Sequence, residues 1–159
     1  MDNTKKIIFV CHGNICRSPM AEFVMKHLVA REGLENEYTI VSAATSREEI
    51  GNGIYPPAAQ TLAQHNIECK GHRARQFTVE DYNSNDYVVV MEDYNTRNLL
   101  RIIGCDCDKK VWKLLDFIEE PPVKCMGGDI SDPWYHDNFE KTYKEILAGC
   151  KALIKFLNR

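Results

Sequence analysis

Apolar positions follow two rhythms along this chain, one short and unbroken, the other spaced at three and four residues. Ile7-Ile8-Phe9-Val10 is an uninterrupted apolar run rich in β-branched residues, and it reads as a strand covered on both faces. Met20, Ala21, Val24, Met25 and Leu28 follow at the spacing of one helix face, and Gly33 closes that pattern. Tyr38–Val41 predicts a second strand leading into a small polar loop over Ser42–Ser46, and Gly51-Asn52-Gly53 predicts a turn. Pro56-Pro57 opens a short helix over Ala58–His65, and His72–Gln76 is a basic connector. Tyr87–Met91, apolar throughout, predicts a third strand. Leu99, Leu100, Ile102 and Ile103 lie on a helix that Gly104 ends, and Val111–Leu115 predicts a fourth strand. Pro121-Pro122 and Gly127-Gly128 punctuate a long irregular segment, the kind that often carries function. The last helix has the clearest stripe: Phe139, Tyr143, Ile146, Leu147, Cys150, Leu153, Ile154 and Leu157, with Asp137 as its cap and Glu140 three residues on. Strands alternating with helices predict an α/β fold, a doubly wound parallel sheet with helices on both faces, forming one domain over residues 1–159. Ligands of such sheets sit at the carboxyl ends of the strands.

The chemistry lies where the first strand ends, in Val10-Cys11-His12-Gly13-Asn14-Ile15-Cys16-Arg17-Ser18-Pro19. Ser18 suits the N-cap of the following helix and Pro19 its first position. Inward loop amides beside a helix N-terminus favour an anion, phosphate above all. Cys11 opens the loop and Arg17 closes it. Amide dipoles, a helix N-terminus and a guanidinium each stabilise a thiolate, the nucleophilic form of cysteine. Arg17 offers a planar fork for two phosphoryl oxygens. Gly13 permits a backbone angle that a β-carbon would resist, whereas Asn14 tolerates a left-handed conformation and can brace the loop with its amide. His12 is expected to turn its side chain outward. Cleaving an aryl phosphate also needs a proton for the leaving oxygen. The candidate donor is Asp132 in Ser131-Asp132-Pro133-Trp134-Tyr135, because proline holds the preceding residue extended and two rings follow to flank a substrate. Asp129, among flexible residues, and Asp137, suited to a helix cap, are its rivals.

Composition narrows the field. The 159 residues are 44% hydrophobic and 27% charged, as in a soluble globular protein, and a net charge of −3 offers no general basic surface to nucleic acid. No run is apolar and long enough to cross a membrane, and the N-terminus lacks a secretory pattern, so the cytoplasm is the expected location. Seven cysteines, an odd number, argue against a disulfide scaffold. Cys105-Asp106-Cys107 lacks the second ligand pair of a zinc site and is read as free thiols in a loop. No metal or cofactor is expected.

The spacing C-x5-R followed by Ser resembles the phosphate-binding loop of cysteine-dependent tyrosine phosphatases. The full string C-x-G-N-I-C-R-S-P near the N-terminus is similar to that of the low molecular weight protein tyrosine phosphatase family. The resemblance implies a four-stranded sheet in the order 2-1-3-4. It implies hydrolysis of protein phosphotyrosine and small aryl phosphates through a phosphocysteine on Cys11, without a metal. Arg17 and the loop His12, Gly13, Asn14, Ile15 and Cys16 would hold the phosphoryl group. Asp132 would serve as acid and then as base toward water. Asn14, Ser18, Ser42 and His72 would brace the loop, with His72 tied to Asn14 and Ser18 donating to the thiolate. Cys16 would trap an oxidised Cys11 as a disulfide. Glu49, Trp134 and Tyr135 would wall the pocket; Trp134 stands where many relatives have tyrosine. Glu48, where the family often has an aromatic, joins Glu49 in a rim that favours basic residues beside the phosphotyrosine. Ile15 replaces the threonine of relatives acting on phosphoarginine, which favours tyrosine. The implied partners are tyrosine-phosphorylated proteins or peptides, with inorganic phosphate as product. Two alternatives have different needs. A thioredoxin-coupled arsenate reductase requires shuttle cysteines, and Glu80–Asp93 contains none. A silent phosphate-binding module does not need Cys11, Arg17 and Asp132 together.

Overall fold

The computed structural model describes residues 3–158. In chain order it contains β1 (Lys5–Cys11), α1 (Arg17–Arg31), β2 (Tyr38–Ala44), α2 (Pro56–Gln64), α3 (Val79–Ser84), β3 (Tyr87–Val90), α4 (Asp93–Ile103), β4 (Val111–Lys113), α5 (Pro133–His136) and α6 (Phe139–Leu157). All strand pairs are parallel, in the order β2-β1-β3-β4, so the expected architecture is borne out. The chain leaves β1 for β2 on one side and returns for β3 on the other. The sheet therefore reverses direction at the carboxyl ends of β1 and β3, the place where such folds open a crevice. Cys11 closes β1 there, and Glu92 lies just past β3.

The unbroken apolar run of β1 has a direct cause. Ile7 and Phe9 join the core under α1 and α6, whereas Ile8 and Val10 join a second core that includes Leu99 of α4. Residues Ile7 to Val10 are all fully buried, because helices cover both faces and neither set of alternate positions meets water. The stripe of α6 is seated on α1 and on a 3-10 turn, Leu114–Ile118. Gly149 allows that approach, since a β-carbon there would sit 2.5 Å from Leu114 Cγ.

The structure corrects several local expectations. β2 continues through Ser42 and Ala43 to Ala44, which pairs with Cys11, so these residues are strand and not loop. α3 has only one buried residue, Tyr82, and so left no apolar stripe to read. Thr78 and Asp81 start it with a reciprocal capping box. β4 stops at Lys113, where the buried Asp116 side chain accepts the Lys113 N–H and turns the chain. Asn138, not Asp137, caps α6 by accepting the Lys141 N–H. Asp137 instead ends α5 in a left-handed conformation, with φ 56°. Cys105 and Cys107 are bonded to each other rather than free. Asp106 between them accepts from the Tyr82 hydroxyl and from the N–H groups of Lys110 and Val111. The Cα atoms of the two cysteines lie 5.3 Å apart, within reach of a disulfide. Among the described residues no helix is long and apolar enough to cross a membrane.

Candidate active site

Asn14 shapes the loop after β1. It takes the left-handed conformation, φ 60°, and is wholly buried. Its amide nitrogen donates to Ser18 Oγ at 2.8 Å and to Ser42 Oγ at 3.0 Å, while its side-chain oxygen accepts from the Arg75 N–H at 3.3 Å. Ser42 in turn donates to Glu22 at 2.6 Å, and Lys26 holds the other oxygen of that carboxylate. His72 Nε2 lies 2.7 Å from the Asn14 carbonyl. A carbonyl only accepts, so Nε2 is the nitrogen that carries the proton. These four expected bracing residues are thus in one bonded group. Gly13 does not have the angle, hostile to a β-carbon, that was expected of it; its missing β-carbon would lie 3.4 Å from Glu49 Cγ, an ordinary contact.

The nucleophile candidate sits at the floor. Cys11 is 3% exposed, and its sulfur accepts from the Asn14 N–H at 3.3 Å and lies 3.0 Å from Ser18 Oγ. Ser18 does not cap α1; Cys16 occupies the N-cap position without a side-chain bond. Pro19 falls at the third helical position, which it tolerates because first-turn N–H groups have no acceptor within the helix. Freed from capping, the Ser18 hydroxyl has the Ala43 carbonyl at 3.5 Å and the nearer sulfur as its acceptors. The hydrogen bond it accepts from Asn14 makes that hydroxyl a stronger donor.

Arg17, 3% exposed, crosses from α1 to three groups. Its Nη1 donates to Glu92 at 2.5 Å and to the Ile130 carbonyl at 3.1 Å, and Nη2 lies 3.4 Å from Asp132 Oδ2. Burial works against its charge, but Cys11, Glu92 and Asp132 outweigh burial and hold its pKa above the ordinary value. Asp132 is extended, as a residue before proline should be, and caps α5 by accepting the Trp134 N–H at 3.0 Å. The rivals lie elsewhere: Asp129 binds Lys113, and Asp137 is an exposed helix end.

Above these groups opens a cavity of about 450 Å³ whose wall includes Cys11, Arg17, Asp132 and, around the mouth, Glu49, Trp134 and Tyr135. Ile15, Cys16 and His12 also face it. His12 turns outward to Glu48, 3.0 Å away. Trp134 leans on Tyr55, with ring centroids 5.4 Å apart, and the Tyr55 N–H bonds the Ile15 carbonyl, tying this wall to the loop. Cys16 is 8% exposed; burial, then the charges of Cys11 and Asp132, push its thiol up to about 12. Glu92 and Tyr94 complete the wall and were missed in the sequence. Glu92 had a readable signal, its place directly beyond a parallel strand. Tyr94 had none.

A nucleophilic sulfur, a guanidinium fork, loop amides and a carboxyl around one cavity are the parts of phosphoryl transfer by a cysteine. The family model for the low molecular weight phosphotyrosine protein phosphatase matches residues 6–159. The chain belongs to that family. It is 33% identical over 153 residues to the low molecular weight protein-tyrosine-phosphatase YfkJ of Bacillus subtilis, covering 96% of each chain. It is 39% identical over 157 residues to the low molecular weight phosphotyrosine protein phosphatase of Gallus gallus, covering 95% of this chain and 94% of that one. The crystal structure of YfkJ superposes with a TM-score of 0.89 over 98% of this chain and 95% of that one. A Drosophila arginine phosphatase, 27% identical, superposes at 0.82 over 97% of this chain and 98% of that one. The signature loop and the Asp-Pro-aromatic segment, from which the family was expected, both fall inside the matched residues.

Proposed function

We propose that the chain hydrolyses phosphotyrosine in proteins or peptides, and small aryl phosphates, through a phosphocysteine on Cys11. The observation that carries this reading is the meeting of Cys11, Arg17 and Asp132 at one cavity, with Arg17 and Asp132 3.4 Å apart. The phosphoryl group enters the loop, and Arg17 turns its fork from Asp132 to two phosphoryl oxygens. The Cys11 thiolate attacks phosphorus in line. The phosphorus–oxygen bond breaks, and Asp132 gives its proton to the departing phenolic oxygen. Water then attacks phosphorus, Asp132 takes its proton, and the thiolate leaves with inorganic phosphate as product. Asn14, Ser42 and His72 hold the loop in shape, and Ser18 stabilises the sulfur as it leaves. Glu92 keeps Arg17 extended toward the cavity.

Ile15 presents an apolar wall beside the ring, which favours tyrosine over arginine as the phosphorylated side chain. Glu48 and Glu49 at the mouth favour basic residues beside it. Peroxide oxidises Cys11, and Cys16 captures it as a disulfide. We place the protein in the cytoplasm, where a reducing environment would keep Cys11 a thiol able to attack. Turnover of 4-nitrophenyl phosphate tests the chemistry. Cys11→Ser should abolish it, and Asp132→Ala should lower kcat by about 10²- to 10⁴-fold with little change in KM. Normal turnover by the Cys11→Ser protein would overturn the reading.

A further inference from the structure

Beside the catalytic cavity lies a second cleft of about 260 Å³, lined by His12, Thr45, Ser46, Tyr94, Asn98 and Arg101. It shares His12 and Tyr94 with the first cavity, so the two adjoin at those side chains. Three features distinguish it. The first is charge. The catalytic cavity is walled by Glu48, Glu49, Glu92 and Asp132, but no acidic residue lines the second cleft. Its cation, Arg101, forms no ion pair with a described residue; its bond to Asn98 Oδ1 is long, 3.4 Å, and uses one N–H. The second is unsatisfied polarity. Thr45 is 8% exposed, yet its hydroxyl has no hydrogen-bond partner, and neither has the buried Nδ1 of His12. Buried polar atoms are paired in nearly all proteins, so two unpaired ones in a single wall need an account. The third is rigidity. Thr45 and Ser46 donate their backbone N–H groups to the Cys11 and His12 carbonyls at 2.9 and 3.0 Å, which fixes this cleft relative to the nucleophile.

We infer that this cleft is a subsite for a carboxylate side chain of the peptide substrate, within a few residues of the phosphotyrosine. Arg101 supplies the charge, and Asn98 and the Thr45 and Ser46 hydroxyls supply donors. The assignment rests on the phosphotyrosine-peptide reading above. It adds polarity to that reading, with a basic flank toward Glu48 and Glu49 and an acidic flank toward Arg101. Glu48 lines only the first cavity, where it is occupied by His12, and leaves the second cleft to Arg101.

The test uses phosphotyrosine peptides that differ in one residue, Glu or its neutral isostere Gln, at each of the positions next to the phosphotyrosine on either side. Wild-type protein should prefer Glu on one side only, by about five- to tenfold in kcat/KM and mainly through KM. The preference should shrink as salt rises. It should vanish in Arg101→Met and return in part in Arg101→Lys. Glu/Gln ratios near one at every position would overturn the assignment. So would a preference that Arg101→Met leaves intact. Inhibition by inorganic sulfate that Arg101→Met relieves, with no peptide preference, would give the cleft to a free anion and also overturn it. Hydrolysis of 4-nitrophenyl phosphate measured alongside separates this failure from failure of the phosphatase reading itself.

Discussion

The loop between β1 and α1 and the segment between β4 and α6 meet over Cys11, and they are held by opposite means. The first spans five residues, and its bracing group is compact: Asn14 is bonded by Ser18, Ser42, Arg75 and His72, and Cys11 by Asn14 and Ser18. Past the 3-10 turn, the second carries Asp132 on a long irregular path that buries Ile130. The exposed side chains of Val123 and Met126 lie along it. Its form comes from single remote anchors: Asp116 beneath it, Lys113 beside it, the Met91 carbonyl accepting from Ile130, and Glu145 accepting from Ser131. The lesson is a division of labour. The half proposed to hold the phosphoryl group is preorganised, so its bracing group needs no rearrangement when charge develops. The half proposed to deliver the proton is tied down at separate points, and we expect that it can be loosened without disturbing the first.

The strongest way to break this contrast is to remove Asp116. This carboxylate is 1% exposed and accepts three backbone N–H groups, from Lys113 at 2.8 Å, Cys125 at 2.9 Å and Gly127 at 2.7 Å. Gly127 lies so close that a β-carbon would sit 2.4 Å from the Asp116 nitrogen, so the loop has no slack there. Asp116→Ala leaves three donors unpaired and should cost about 3–5 kcal/mol, seen as a Tm lower by roughly 10 °C. Turnover should fall about tenfold or more, most steeply for substrates with poor leaving groups. Competitive inhibition by phosphate, which reads the first loop and Arg17, should be unchanged. Equal damage to phosphate binding would show that the two loops are not independent.

Lys113 sharpens the same contrast on a smaller scale. Its side chain is 5% exposed, and its ammonium lies 3.1 Å from both Asp93 and Asp129. Burial opposes its charge, yet the bonds to Asp129 and Asp93 raise its pKa above the ordinary value. Lys113→Met keeps the stem and removes the tether. Ile130 stays anchored by its own backbone bonds, so kcat should drop only about three- to fivefold. The sign of the pH effect follows from the raised pKa. The folded protein holds the proton more tightly, so the tether is fully present below pH 10.5 and is lost as pH rises above it. Thermal stability of wild type and variant should therefore differ at neutral pH and converge only in strong alkali.

The same contrast explains what could be read from sequence. The first loop is local, so its residue types at fixed spacing were enough: Cys11, Asn14, Arg17 and Ser18 all fall where that spacing placed them. The errors there concerned neighbours that compete for one role. Gly13 does not use the conformational freedom expected of it, while Asn14 has the left-handed angle it was expected to tolerate, and the Ser18 hydroxyl went to sulfur instead of capping the helix. The second loop is set by long-range partners. Lys113 read only as the middle of a strand and Asp116 as the residue after it, and nothing in their neighbourhood announced that Asp116 would reach Gly127. Asp132 was legible through Pro133, whose effect is local, but its approach to Arg17 across 115 positions was not. Tyr94 and Arg101 lie on a helix that was visible from its apolar residues. Their side of that helix is polar, and only the fold brings it against His12.

Cys16 gives the smallest effect on resting activity and the finest test of the preorganised half. Burial and the charges of Cys11 and Asp132 push its thiol up to about 12, so it stays protonated while Cys11 is reduced. A raised thiol pKa favours the neutral form in the fold. Its stabilisation is complete below pH 9.0 and fades as pH climbs toward that raised value. Alkylating agents should therefore leave Cys16 unmodified until the protein unfolds, and Cys16→Ser should change turnover less than about twofold. In the proposed redox step, peroxide alters this balance. Two electrons leave the Cys11 thiolate, giving a sulfenic acid and water, and the Cys11 charge that opposed ionisation of Cys16 disappears. Cys16 then loses its proton, attacks the Cys11 sulfur and expels hydroxide, which leaves as water once the disulfide has formed. Wild-type protein inactivated by peroxide should recover with dithiothreitol, whereas the Cys16→Ser protein should pass to the sulfinic acid and stay inactive. Equal recovery of both would remove Cys16 from the redox chemistry and leave it a packing residue at the start of α1.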